Sequence, residues 1–322
     1  MARKQPFSDS VWRLLPAVHR HPLPQMPRSL YRYIWRISHR HQLGLSLLTL
    51  GVFPLTVAPL ELQRRLIDDA IVGRDPELLV QLGALYLLLT LLRAGLKFLR
   101  NAYMDRVAEG VTRQLRHRVA HPEALDTASV DGTRQSIAAS EAEKIGGFVA
   151  DSIANPLLQL GTLISVAGYM LLVDPLIALG ALAFLIPSLL LVGFTQPLLN
   201  RLSERKIGAI RDLGQALLRT DETETDGLIE RIYRLRLRFT LIKHAVKQLN
   251  NLTNHLGPLS VLVVGGWLVI EGQAEVGTLV AFISGYERLT GPSRDLLNFY
   301  RQLALIRVQY RLVQKASQPL DP

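Results

Sequence analysis

Apolar residues in this chain are gathered into long blocks instead of being scattered over many faces. No charged side chain occurs from Leu43 to Leu60, from Ser152 to Val173, from Pro175 to Asn200 or from Gln248 to Ile270. The hydrocarbon core of a bilayer, about 30 Å thick, needs about 20 apolar residues in a helix, so each block predicts a membrane span. Only Asp174 and Pro175 interrupt the second and third blocks, which predicts a tight membrane hairpin.

The connections set the orientation. Two are long and charged, from about Arg100 to Asp151 and from about Arg201 to Lys247, and both are rich in Lys and Arg. Bases near spans stay in the cytoplasm, so both are expected inside. The links Val173 to Pro175 and Glu271 to Glu275 carry no base, and Gly73 to Pro76 carries Arg74 alone, so these are expected outside. Parity then requires a span from Leu78 to about Leu99, whose Arg93, Lys97 and Arg100 are expected to snorkel towards the inner headgroups. It also requires a last span from Val276 to about Ala304, because Arg307 and Arg311 belong inside. The expected fold is therefore all-α and integral to the membrane, with six spans and both termini cytoplasmic.

Composition agrees: 48% of residues are hydrophobic and the net charge is +10. Anionic lipid on the inner leaflet accounts for the excess of base, and no recognisable nucleic-acid motif competes. There are no cysteines, which removes disulfides, thiolate metal sites and cysteine nucleophiles. His19, His21, His39 and His41 lack the spacing of a metal site. Pro16, Pro22, Pro24 and Pro27 interrupt the chain before any apolar run begins, so no signal peptide is expected and the first span is expected to serve as its own insertion signal.

Residues 1–27 are expected to form a mobile cytoplasmic leader, residues 28–41 an amphipathic helix, 42–316 the six-span domain and 317–322 a tail. In the amphipathic helix Arg28, Arg32, Arg36 and Arg40 share one stripe, while Leu30, Tyr33, Ile34 and Ile37 lie mostly on another. With Trp35 as anchor, that predicts a helix lying in the inner headgroup plane, bases on anionic lipid and aromatics at the acyl boundary. Pro54 and Pro59 are expected to bend the first span. Asp68 and Asp69 read as solvated charges at its outer end. Each long inner connection fits an out-and-back pair of helices reaching about 30 Å beyond the bilayer. Their turns are expected near His121 to Glu123 and near Thr220 to Gly227.

Two segments carry a family resemblance. Pro59-Leu60-Glu61-Leu62-Gln63-Arg64-Arg65-Leu66-Ile67-Asp68-Asp69-Ala70-Ile71 is similar to the end of the first span of ATP-binding cassette (ABC) exporters. Val276-Gly277-Thr278-Leu279-Val280-Ala281-Phe282, Gly291-Pro292 and Tyr300-Arg301-Gln302 resemble their sixth span. The resemblance implies an interfacial elbow helix, here Tyr31 to His39, and six long helices whose intracellular arms are tipped by short coupling helices. It also implies pairing with a second transmembrane half, as a homodimer or heterodimer. Residues Pro122, Glu123, Ala124 and Leu125 would belong to the first coupling helix, and Glu222, Thr223, Glu224, Thr225, Asp226 and Gly227 to the second. That second tip is acidic where the family commonly places small and apolar residues.

No Gly-x-x-x-x-Gly-Lys-Ser/Thr loop occurs anywhere in the sequence, so no backbone cradle for nucleotide phosphates is expected. The chain is expected to have no catalytic residues, metal or cofactor of its own, with ATP and Mg on a separate cassette ATPase. The expected role is a permease subunit in the bacterial inner membrane. The alternative is a motor-less membrane scaffold or regulatory subunit that kept the fold. Arg93, Lys97, Glu287, Arg288, Arg294 and Asn298 are candidates for a polar cargo cavity, weighed against snorkelling and mutual pairing. Trp267 and Tyr286 read as interfacial anchors.

Overall fold

A computed structural model of the chain describes Pro27 and residues 29–120, 132–219 and 222–316. The expected leader up to Met26, the tail 317–322 and the first loop tip at Pro122 to Leu125 lie outside these residues. Among the described residues every regular element is helical.

Among the described residues six helical rods follow one another. The first comprises α1 (Leu30–Val52), α2 (Pro54–Arg65) and a π-helical turn, Leu66–Val72. The next three are α3 (Pro76–Ala120), α4 (Gly132–Val173) and α5 (Pro175–Arg219). The fifth comprises α6 (Glu222–Ser260), a π-helical turn at Val261–Gly265 and α7 (Gly266–Ile270), and the sixth is α8 (Val276–Ala316). Among the described residues four rods are long and apolar enough to cross a membrane: Leu30–Val72, Pro76–His117, Ser140–Val173 and Thr225–Ile270. α5 adds the shorter apolar stretch Pro175–Pro187.

The reversals are built from local chemistry. After the first rod the chain turns at Gly73 and at Arg74, which takes φ 56°. Asp75 Oδ1 then accepts the N–H groups of Glu77 (3.0 Å) and Leu78 (2.9 Å). Pro76 occupies the first helical position, where its missing N–H would have no intrahelical partner in any case. Asp174 and Pro175 repeat the device: Asp174 Oδ1 accepts Leu176 N–H and Ile177 N–H, each at 3.0 Å. Gly272, at φ 74°, closes the fifth rod. Of the two prolines expected to bend the first rod, Pro54 interrupts it at the single residue Phe53, whereas Pro59 lies inside α2 without ending it.

The chain divides into two compact units, Met1–Val166 with Pro292–Pro322, and Ala167–Gly291. In the first, Tyr103, Val107, Val111 and Leu115 recur every fourth residue along the C-terminal half of α3. They pack with Ala142, Ile145, Phe148 and Val149 of α4 and with Ile306, Tyr310 and Val313 of α8. By contrast no residue of α3 from Pro76 to Leu99 is buried. The same helix thus has a protein-facing C-terminal half and an N-terminal half left open for lipid or another chain. In the second unit α5 and α6 pack against each other, and Leu202, Ala209 and Ala216 are buried at seven-residue intervals along α5. That spacing keeps one face of a long helix turned to its neighbour.

The amphipathic segment 28–41 differs from expectation. It has no boundary of its own at His41, because α1 runs unbroken from Leu30 to Val52. Its apolar face does not meet acyl chains either. Leu30, Tyr33 and Ile34 join the buried core, and the Tyr33 ring lies 5.2 Å from that of Tyr310. Gln42 Nε2 donates to Val149 O (2.7 Å), and His41 Nδ1 lies 3.0 Å from the Tyr103 hydroxyl. The Tyr310 hydroxyl donates to Pro27 O at 2.6 Å. These contacts hold the start of α1 against protein.

Adjacent glycines on α4 test this packing. A Cβ on Gly146 would collide with Thr112 Oγ1 and lie 2.7 Å from Ala108 O, whereas one on Gly147 would meet nothing within 4 Å. Gly146→Ala is expected to cost about 1–3 kcal/mol by overpacking. Gly147→Ala is expected to leave stability unchanged or raise it by up to about 1 kcal/mol. Thermal unfolding of the two variants in detergent reads the difference, and equal shifts would contradict the interface.

Candidate functional site

Function in a membrane helix bundle resides where charge or polarity is held at depth and where helices end outside the bilayer. The second loop tip is described from Glu222 onward. Glu222, Thr223, Glu224, Thr225, Asp226 and Gly227 form the first turns of α6, not a separate short helix. The first arm helix of this pair, α5, ends at Arg219 and α6 begins at Glu222, so helix resumes earlier than the breakers from Thr220 to Gly227 suggest. The physical reason is that carboxylates favour the positive end of a helix dipole, so this acidic run starts a helix more readily than it stops one.

The six cargo candidates lie on two helices, α3 and α8. Arg93 is half-buried on α3, its Nε buried without a hydrogen-bond partner among the described residues, and Lys97 is exposed one turn further on. Arg294 and Asn298 are exposed on α8 in the same unit, with Arg301 Nη1 3.4 Å from Asn298 Oδ1. Glu287 and Arg288 belong to the other unit. Glu287 is exposed and makes no ion pair among the described residues.

Arg100 does not snorkel. It is only 3% exposed and donates through Nε to Thr49 Oγ1 of α1 (3.2 Å) and through Nη1 to Asn101 Oδ1 (3.1 Å). It also lies in the field of the Asp151 carboxylate. Burying a guanidinium demands such compensation, and here α1 and α4 supply it.

Asp151 begins a polar seam that charge counting overlooks. Asp151, Asn155 and Gln159 stand at four-residue intervals and so on one face of α4. Asn155 Nδ2 donates to Asp151 Oδ2 (3.2 Å), and Gln159 Nε2 donates to Asn155 Oδ1 (3.0 Å) and to Asp295 Oδ2 of α8 (3.2 Å). The seam reaches about 12 Å along α4, and the Asp151 Oδ1 atom at its end is buried without a hydrogen-bond partner among the described residues. The signal that reveals it in the sequence is a polar residue on every fourth position of an otherwise apolar block.

The two aromatic candidates separate. Trp267 is exposed and its Nε1 donates to Glu271 Oε1 at 2.6 Å, which suits an anchor at the end of a rod. Tyr286 is 1% exposed, so it is not an interfacial anchor. Its ring lies directly on the backbone of Gly257 in α6, a seat that exists only because Gly257 has no Cβ. At the C-terminal end of the first rod Asp69 is exposed and Asp68 half-buried, while Glu61 pairs with Arg64 (2.9 Å) and Arg65 (2.8 Å).

Helical rods that pass from membrane-length apolar runs into long charged arms, with a polar seam inside one of those runs, define a polytopic membrane protein. The family model for the ABC transporter transmembrane region matches residues 56–220. That is 165 of 322 residues, just over half of the chain. The chain belongs to this family: it is an integral membrane protein and an ABC transporter membrane subunit. The match runs from α2 through α5 and ends at the loop tip. No curated protein matches the chain significantly.

The seam makes a quantitative prediction. In a double-mutant cycle of Gln159→Leu and Asp295→Leu, the coupling energy is expected to be about 0.6–1.7 kcal/mol, the range of interhelical hydrogen bonds in membranes. Denaturation of the four proteins in mixed micelles measures it, and strict additivity would show that the two side chains do not act together.

Proposed function

We propose that this chain is the permease half of an ABC-type exporter. Two transmembrane halves form the translocation pathway, and ATP hydrolysis on a separate cassette subunit, which carries the nucleotide and Mg, drives it. Both termini and both arms face the cytoplasm of a bacterial cell, and the arm tips, Pro122 to Leu125 and Glu222 to Gly227, receive the cassette. The observation that carries this reading is helix continuity. α5 extends unbroken from Pro175 to Arg219, and α6 returns from Glu222 to Ser260. A helix without a break transmits force along its axis, so a push at the tip is delivered inside the bilayer. The compactness of the unit Ala167–Gly291, which contains all of α5 and α6, supports a second transmembrane half, since a part of the chain with its own packing suits exchange with a partner.

In this reading the polar groups on α3 and α8, Arg93, Lys97, Arg294 and Asn298, with Glu287 and Arg288, line the path of an amphipathic cargo. Lipid is a poor environment for exposed charge at depth, which favours a watery cavity. The chain itself carries no ATPase chemistry. The acidic second tip favours one other reading, a scaffold that kept the fold and lost its motor, because an acidic helix start suits a basic partner better than an apolar groove.

Reconstitution in nanodiscs with candidate cassette subunits tests the proposal. Co-purification of a cassette and stimulation of its ATPase activity are expected, and both are expected to weaken in a Glu222→Ala, Glu224→Ala double variant. Unchanged ATPase activity with every candidate would count against transport. Loss of a different complex in the double variant, with transport intact, would favour the scaffold.

A further inference from the structure

Two of the usual causes of a helix bend stand next to each other in the fifth rod. Pro258 lies inside α6, where it removes an N–H from the hydrogen-bond ladder. The π-helical turn Val261–Gly265 follows directly, and α7 continues from Gly266 to Ile270. Helices kink at prolines and at π turns. The π turn of the first rod leads straight into the reversal at Gly73, so it carries no helix beyond it. Here α7, with the exposed Trp267, lies on the far side.

One ring holds this stretch. Gly257 precedes Pro258, and the Tyr286 ring of α8 occupies the place where a Cβ on Gly257 would stand. Tyr286 is buried, yet its hydroxyl has no hydrogen-bond partner among the described residues. A buried hydroxyl without a partner is destabilising, so packing keeps the ring in its seat while the hydroxyl works against it. The π turn meets its neighbours through small residues. A Cβ on Gly265 would come within 3.1 Å of Leu279 in α8 and 3.2 Å of Ile177 in α5, and one on Gly180 of α5 would lie 3.7 Å from Val264. Gly265 has no side chain to interlock with either helix, so its contacts oppose turning less than ridges set in grooves do.

We infer that Gly257 to Gly265 is a rotary switch with Tyr286 as its latch. A π turn holds one residue more than the α turn it replaces. Its return to α geometry therefore turns everything beyond it by about 100° and shifts it by about 1.5 Å along the axis. α7 is the part that turns, and Trp267 leaves its present face. All these residues belong to one compact unit, Ala167–Gly291. The switch itself needs no functional reading, and only its drive rests on the proposed transport: a push along α6 reaches Pro258 and emerges as rotation of the rod's far end.

The test uses the full chain in nanodiscs, with Trp12→Phe and Trp35→Phe leaving Trp267 as the one tryptophan, labelled as 5-fluorotryptophan. Two fluorine NMR resonances are expected, one for each setting. Tyr286→Phe keeps the ring and removes the unpartnered hydroxyl, and is expected to move the ratio of the two about tenfold towards the seated setting. Gly257→Ala fills the seat and is expected to move it the other way. Deletion of the exposed Val263 removes the extra residue and is expected to leave only the resonance of the unseated setting. Where Gly257→Ala does not fold, the deletion still identifies that resonance and Tyr286→Phe still gives the direction. A single resonance in the parent, a ratio that Tyr286→Phe leaves unchanged or moves away from the seated setting, or a Val263 deletion that keeps both resonances would overturn the switch. Failure of the cassette assay with these shifts intact would remove the transport drive and leave the switch standing.

Discussion

In hydrocarbon an unpaired backbone N–H or C=O costs several kcal/mol, so a crossing chain must satisfy its hydrogen bonds within itself. The rods of this protein obey that constraint and then continue past the point where it applies. α3, α4 and α5 each exceed 40 residues, roughly twice what a bilayer requires. Beyond the membrane the reason for staying helical changes. There the rods are held by packing, by Tyr103, Val107, Val111 and Leu115 against α4 and α8 in one unit and by the spaced Leu202, Ala209 and Ala216 in the other. A lever is the mechanical consequence of two stabilising terms, backbone satisfaction and side-chain burial, acting end to end on one helix.

Polar groups mark the joints between these regimes. Arg100 and Asp151 sit where α3 and α4 pass between apolar run and arm. Arg100 donates to Thr49 of α1, and Gln42 of α1 donates to Val149 O of α4, so a change in the relation of α1 to α3 or to α4 must break a hydrogen bond in a medium of low dielectric. The Gln159 to Asp295 bond extends the same requirement to α8. These four helices are tied by contacts that are cheap to keep and costly to lose, as suits a body that moves as one piece under load.

Much of this was legible in the sequence where the signal is local. Asp75-Pro76 and Asp174-Pro175 announce helix starts because a carboxylate cap and a fixed φ act within three residues. Charge-free blocks announce spans because hydropathy sums over neighbours. What was not legible depends on residues far apart in the chain. Periodicity shows that Tyr33 and Ile34 share a face, but whether that face meets lipid or Tyr310 depends on where α8 ends. A charge count sees Arg100 as a penalty and cannot see Thr49 opposite it. Tyr286 reads as an anchor by its type, and only the missing Cβ of Gly257, on another helix, lets it go inside. The polar seam was hidden in a different way, because Asn155 and Gln159 carry no charge and the eye follows charge in apolar runs.

The central claim is that both arms are continuations of membrane-crossing helices on one side of the bilayer. With no native cysteine in the sequence, single cysteines at Arg116, Arg236 and Arg74 report sidedness without background. An impermeant maleimide applied to intact cells is expected to label Arg74→Cys and to leave Arg116→Cys and Arg236→Cys untouched until the membrane is opened. Labelling of Arg116→Cys and Arg236→Cys from opposite sides, or of both from outside, would contradict the account.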